Sequence, residues 1–212
     1  MKMPSTYTLD TETIKLNAYR LLCLFYANKE IARLSDPNTR ADPASQLERV
    51  FFAREMTHIL LNIAVGLRVL DDQIRSMHPS EKQREAYLLA LNKVNLRHRC
   101  MLFDEMPLRE VCNKIIHAST VEPNTKEGAE YHQHDEYNSM GWDETVDESS
   151  GEPSEKPEPI KWEHLSGHIR LGGTRGKDQW WHLLEVPVFV EAITELLEMF
   201  GQFSQTDSPG LK

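Results

Sequence analysis

The feature that most constrains this chain is a run at helical spacing from Ser45 to Met77, with no proline and a single glycine inside it. Leu47, Val50, Phe51, Ile59, Leu61, Val65, Leu70 and Ile74 recur mostly at intervals of three and four. That is the period of a helix with one buried face, and it predicts a long helix over Ser45–Met77. Such a helix buries its apolar stripe only against other helices, and the flanking sequence supplies them. Thr11 is placed to cap a helix running to about Leu34, with Ile14, Leu16, Leu21, Leu22, Leu24, Phe25 and Ile31 as its stripe. The intervening Leu34–Ala44 holds Ser35, Asp36, Pro37, Asn38, Asp42 and Pro43, and reads as a loop. Pro79-Ser80 breaks the long helix, and Ser80 caps a third one carrying Tyr87, Leu88, Leu91, Val94, Leu96 and Met101. After a turn at Phe103–Pro107, Leu108–Ala118 reads as a short fourth helix, with Leu108, Val111, Ile115 and Ala118 on one side.

The pattern then changes. Ser119–Glu163 is interrupted by Pro123, Gly128, Gly141, Gly151, Pro153, Pro157 and Pro159. Its acidic stretches cannot bury enough apolar surface to offset the entropy of ordering. Regularity returns with Gly167–Gly173, which alternates like a strand. A turn follows at Thr174–Lys177, then a second strand at Trp180–Leu184, making a hairpin. Val186 or Pro187 opens a final helix with Phe189, Val190, Ile193, Leu196, Leu197 and Phe200, and Gly201 reads as its stop. The expected fold is mainly α: a four- to five-helix bundle with one β-hairpin and a long acidic, partly disordered insert. Residues 1–118 form the bundle body and 119–164 the mobile insert. Residues 165–212 form the hairpin and a C-terminal helix packing on the bundle.

Charge sharpens this division. The net charge of −9 argues at first against a nucleic-acid partner. Resolved by segment, residues 1–118 carry +3, residues 119–165 carry −10 and residues 166–212 carry −2. The acidity belongs to the insert, and the helical body is mildly basic. Cys23, Cys100 and Cys112 are odd in number and form no CxxC pair, which reads as reduced thiols in a cytoplasmic protein. The opening MKMPSTYTLD lacks the apolar core of a signal peptide. The longest apolar run, Leu21 to Ala27, is far shorter than a membrane span, so no membrane association is expected.

The most informative short stretch is Leu108–Ala118. On a helix, Arg109, Asn113 and His117 are spaced by four and share a polar face. Arginine can hold a phosphate bidentately, and histidine can move a proton near neutral pH. The plain alternative is a helix whose polar residues anchor neighbouring loops. The segment resembles the signature helix of the HEPN superfamily, whose members are helical bundles. Their motif runs arginine, a polar residue, a few further residues, then histidine. In Cys112-Asn113-Lys114-Ile115-Ile116-His117 the Asn and the His stand at the expected places, and Cys112 stands in the place of the arginine. The resemblance covers roughly residues 10–118 and extends to the C-terminal helix.

That resemblance implies an RNA-directed protein, either a metal-independent endoribonuclease or a degenerate RNA-binding relative, in a toxin–antitoxin or phage-defence setting. It implies a homodimer with a composite site and no cofactor or metal. His117 would be the acid–base group, oriented by Asn113, and a ribose 2′-OH would attack the adjacent phosphate. A thiol cannot carry the positive charge that stabilises the phosphorane. Arg109 would have to substitute, although it lies roughly 12 Å from His117 along a helix rising about 1.5 Å per residue.

Weaker candidates accompany this site. Arg54 and His58 share a face of the long helix and could complete a polar pocket, with Arg54 a candidate RNA contact. Arg170, Arg175 and Lys177 gather on the hairpin with Trp180 and Trp181, a basic and aromatic combination that suits phosphate contact and base stacking. Alternation sends the two tryptophans to opposite faces, so one packs inward and the other is open to a partner. His132, His134, Asp135 and Glu136 are types that bind divalent metals, but no further ligand is identifiable and incidental binding is the simpler reading. A second class of function also fits: a non-enzymatic interaction protein that docks a basic partner through its acidic insert.

Overall fold

A computed structural model describes residues 10–34, 43–98, 105–130 and 160–206. The fold is mainly α. Among the described residues it holds five helices and one three-stranded antiparallel sheet. The order is α1 (Thr11–Leu34), α2 (Pro43–Ser76), α3 (Lys82–Arg97), α4 (Leu108–Ile116), β1 (Thr120–Glu130), β2 (Ile160–Arg175), β3 (Asp178–Glu185) and α5 (Val186–Thr206).

α1 and α2 pack antiparallel. Ile14 sits 3.1 Å from where a Cβ on Gly66 would stand, and Asn28 Nδ2 donates to Glu48 Oε1 at 2.8 Å. Asp10 rather than Thr11 caps α1: its carboxylate accepts from the Glu12 N–H at 3.0 Å and from Thr13 Oγ1 at 2.6 Å. α2 is the longest element and lines the core with Met56, Ile59, Leu60, Ile63, Ala64, Leu67, Leu70 and Ile74. It is also the one described helix long and apolar enough to cross a membrane by length and composition. Several apolar residues of its sequence pattern face outward instead, Leu47, Val50, Phe51 and Val65 among them. α5 starts at Val186 as expected but runs through Gly201 to Thr206. Gly201 has no positive φ, so it ends nothing.

The larger difference concerns the insert. The expected single hairpin is a three-stranded meander, ordered β1-β2-β3. Residues 120–130 and 160–164, which the sequence pattern assigns to the mobile insert, are strand, and β2 runs unbroken across the boundary expected at residue 165. β1 sends Val121 against the core, lacks further apolar alternation, and is held mainly by cross-strand pairing. Lys161 and Glu127 pair at 3.0 Å, and the Trp162 indole lies over Gly128, filling the place of a missing side chain. Residues 131–159, with His132 and His134, lie outside the described residues, as do residues 35–42, Cys100 and the last residues of the chain. The β2–β3 turn has two residues, Gly176-Lys177, with φ +66° at Gly176, a primed-turn geometry that suits glycine.

The inner face of the sheet, with Ile169, Leu171 and Leu184, joins the bundle core. Asn28 fixes its seat: while donating to Glu48 it accepts the Leu165 N–H at 2.7 Å. At the far end of the bundle the buried ring of His98, just after α3, meets Glu195 Oε2 on α5 at 2.6 Å, and Arg97 meets Glu195 Oε1 at 3.1 Å. The His98 bond first, and then the Arg97 charge, hold the Glu195 carboxyl below its usual 4.5, against a partial burial that raises it. A depressed carboxyl contributes stability above its unfolded pKa and loses it as pH falls through the folded one. Thermal melts recorded from neutral pH downward are expected to fall below pH 4.5 in the wild type. Glu195→Gln should melt lower at neutral pH and decline less steeply in that acid window. Parallel profiles for the two proteins would show that the pair carries no stability.

Candidate functional site

α4 ends at Ile116, one residue short of His117, which caps it with φ −98° and ψ 6°. The helical stripe of Arg109, Asn113 and His117 is therefore interrupted at its most important member. Its three side chains also have different surroundings. Arg109 points back to α2, where Nη2 meets Asp72 Oδ1 at 2.9 Å and Nη1 contacts Asp71. Asp71 is 3% exposed and is gripped from its own helix as well, by Arg75 Nε at 2.8 Å and Arg68 at 3.5 Å. Arg109 thus serves as the tie between α4 and α2. The Asn113 amide donates to Glu110 Oε1 at 3.2 Å, along its own helix. His117 is exposed beyond the helix end.

Cys112, in the place of the family arginine, is buried at 1% exposure. Burial pushes its thiol up to about 12, against the lowering effect of Arg68 and Arg109. It is a neutral core residue of the α2–α4 packing, alongside Leu108, Val111 and Ile115.

The short link after α4 brings its end onto the sheet. The Ser119 N–H donates to the Gly172 carbonyl at 2.8 Å, and the His117 carbonyl stands 3.0 Å from where a Cβ on Gly173 would lie. Lys114 sits 4.4 Å above the Trp180 ring. Trp180 is half-buried on the inner face, and Trp181 points outward with 66% of its surface exposed. The tryptophans do lie on opposite faces of β3.

The outer face is a groove of about 320 Å³. Register places Glu122, Arg170 and Leu183 in one cross-strand row, and Thr120, Gly172 and Trp181 in the next. Thr174 and Gln179 form a third row. The Thr120 hydroxyl lies over Gly172, in the place a side chain there would take, so Thr120 and Trp181 line this row. The Arg170 guanidinium lies 5.6 Å from the Trp181 ring centroid, within cation–π range.

The remaining candidates are dispersed. Arg175 and Lys177 are exposed at the β2–β3 turn, about 17 Å from Arg170 at about 3.3 Å per strand residue. Arg54 is exposed on α2, about 26 Å from Asp71 at about 1.5 Å per residue. His58, beside it, pairs with Asn62 at 3.1 Å. Among the described residues no group of three metal-binding side chains occurs. Sequence reasoning misses the groove residues Thr120, Glu122, Gly172 and Gln179. Only the alternation around Trp181 signals an open face, and Thr120 and Glu122 fall inside the stretch whose composition reads as insert. No protein-family model, curated protein or solved structure matches this chain.

Proposed function

We propose that this chain is a HEPN-like RNA-directed protein that holds single-stranded RNA on the outer face of its sheet and does not cleave it. The observation that carries this reading is Trp181, exposed beside Arg170 in the outer-face groove. An open indole offers a stacking platform to any base, and the guanidinium next to it offers a phosphate contact. Lys114 and the His117 carbonyl meet the opposite, inner face, at Trp180 and Gly173, and do not line the groove. The resemblance supplies the RNA and adds a second copy of the chain as partner, in a toxin–antitoxin or phage-defence setting.

Two observations favour binding over cleavage. The position of the family arginine is a neutral buried thiol. The nearest substitute, Arg109, is spent on Asp71 and Asp72. No cation of α4 is then left to face a developing phosphorane beside His117 except Lys114, which lies over Trp180.

The test uses the full chain with short single-stranded RNA in excess chelator. Wild type is expected to bind the RNA and leave it intact. His117→Ala should bind within a few-fold of wild type. Cyclic phosphate ends produced by wild type and lost in His117→Ala would overturn the non-cleaving half of the proposal. Absence of any RNA binding would overturn the whole of it.

A further inference from the structure

Building on the RNA-directed reading, we infer that the groove accepts a single nucleobase and selects guanine, with Trp181 as the stacking surface and the Glu122 carboxylate as the reader of the base edge.

The slot follows from the register. β1 and β3 flank β2, so their backbones stand about 9–10 Å apart at about 4.8 Å per strand. The central row between them is Gly172, which contributes no side chain. Thr120 leans over that glycine, and Trp181 stands on the other side of the row. A flat ring that stacks on the indole turns an edge along the strands toward the next row, where Glu122 lies.

The edge it meets there is acidic. Glu122 lines the same groove and is exposed. Its direct cross-strand neighbour is Arg170, yet the two form no ion pair, and Arg170 leans to the Trp181 ring instead. Among the described residues the Glu122 side chain makes no hydrogen bond or ion pair. An ionised carboxylate only accepts hydrogen bonds, and it accepts best from two parallel N–H groups. Guanine is the base that presents two adjacent donors on its pairing edge, N1–H and N2–H. Adenine and cytosine each present one amine beside an acceptor, and uracil presents one N–H between two carbonyls. A carboxylate therefore favours guanine most and uracil least. The same charge repels phosphate, so the Arg170 guanidinium, turned away from Glu122 toward Trp181, marks the side on which the backbone runs.

The experiment uses labelled hexauridylates whose third position is guanine, adenine, cytosine or uracil, titrated with the full-length protein. The guanine oligonucleotide is expected to bind about tenfold tighter than the all-uracil one, within the usual range for one bidentate base contact. Glu122→Gln should bring the two within about twofold, by weakening the guanine oligonucleotide. Circular dichroism melts of that exposed-site variant check that it folds as wild type does. Equal binding of all four by wild type, or a guanine preference that survives Glu122→Gln, overturns base selection while leaving RNA binding intact. If no oligonucleotide binds, the RNA-directed reading itself fails.

Discussion

Asp71→Ala is expected to destabilise the fold by about 3 kcal/mol, the lower end of the range for removing one partner of a buried ion pair. For a chain of this size that lowers the melting temperature by about 5–10 °C. Asp71 is 3% exposed and faces Arg68, Arg75 and Arg109. Without it these cations lose their shared counter-ion. Two features keep the cost below the maximum. Arg68 and Arg109 retain Asp72, and the Arg75 side chain is 42% exposed and can turn to water. Asp71→Asn preserves the shape and one acceptor and should lose less. Thermal melts of the two variants against wild type decide the matter. An unchanged melting temperature in Asp71→Ala would mean that the cluster is solvated and Arg109 free, and would reopen the catalytic role that its ion pairs argue against.

This cluster also shows what a sequence can and cannot convey. The pairing of Arg68 with Asp71 and Asp72 is legible, because three- and four-residue spacing on a helix fixes it. That Arg109 joins them is not. It stands 37 residues from Asp72 in sequence, and only the packing of α4 on α2 brings it there. The helices themselves are readable from their apolar spacing, but on α2 the buried face is set by Met56, Leu60, Ile63 and Leu67, and half of the expected stripe faces outward. β1 is not readable, because a strand held mainly by its neighbour leaves little apolar alternation, and its acidic composition resembles that of a loop. The site suffers accordingly. The hairpin shows Trp181 and Arg170, but Thr120 and Glu122 reach the groove through a pairing that local pattern does not encode. Spacing alone places His117 on a helix that in fact stops one residue before it, where the chain turns into β1.

Trp181→Ala is expected to weaken single-stranded RNA binding by about tenfold or more, the loss usually seen when one base is deprived of its aromatic platform. The effect on stability should be small, because 66% of the side chain already faces water and the inner-face residues Leu184 and Ile169 keep their packing. Trp181→Phe retains a ring and should recover most of the affinity, which separates stacking from a general loss of shape. Arg170→Ala probes the other half of the same platform. It removes one phosphate-neutralising charge, so affinity should fall at low salt. The salt dependence should shallow by about 0.7 for each single-strand phosphate that is no longer neutralised. The two residues touch each other through the 5.6 Å cation–π pair, so the effects of their substitution should not add. A double variant no weaker than Trp181→Ala alone would mean that Arg170 acts by holding the indole in place. A further drop in affinity, with a shallower salt slope, would mean that the guanidinium reaches the phosphate itself. Fluorescence titrations at two salt concentrations distinguish these outcomes, and full affinity in Trp181→Ala would remove the outer face of the sheet as the RNA site.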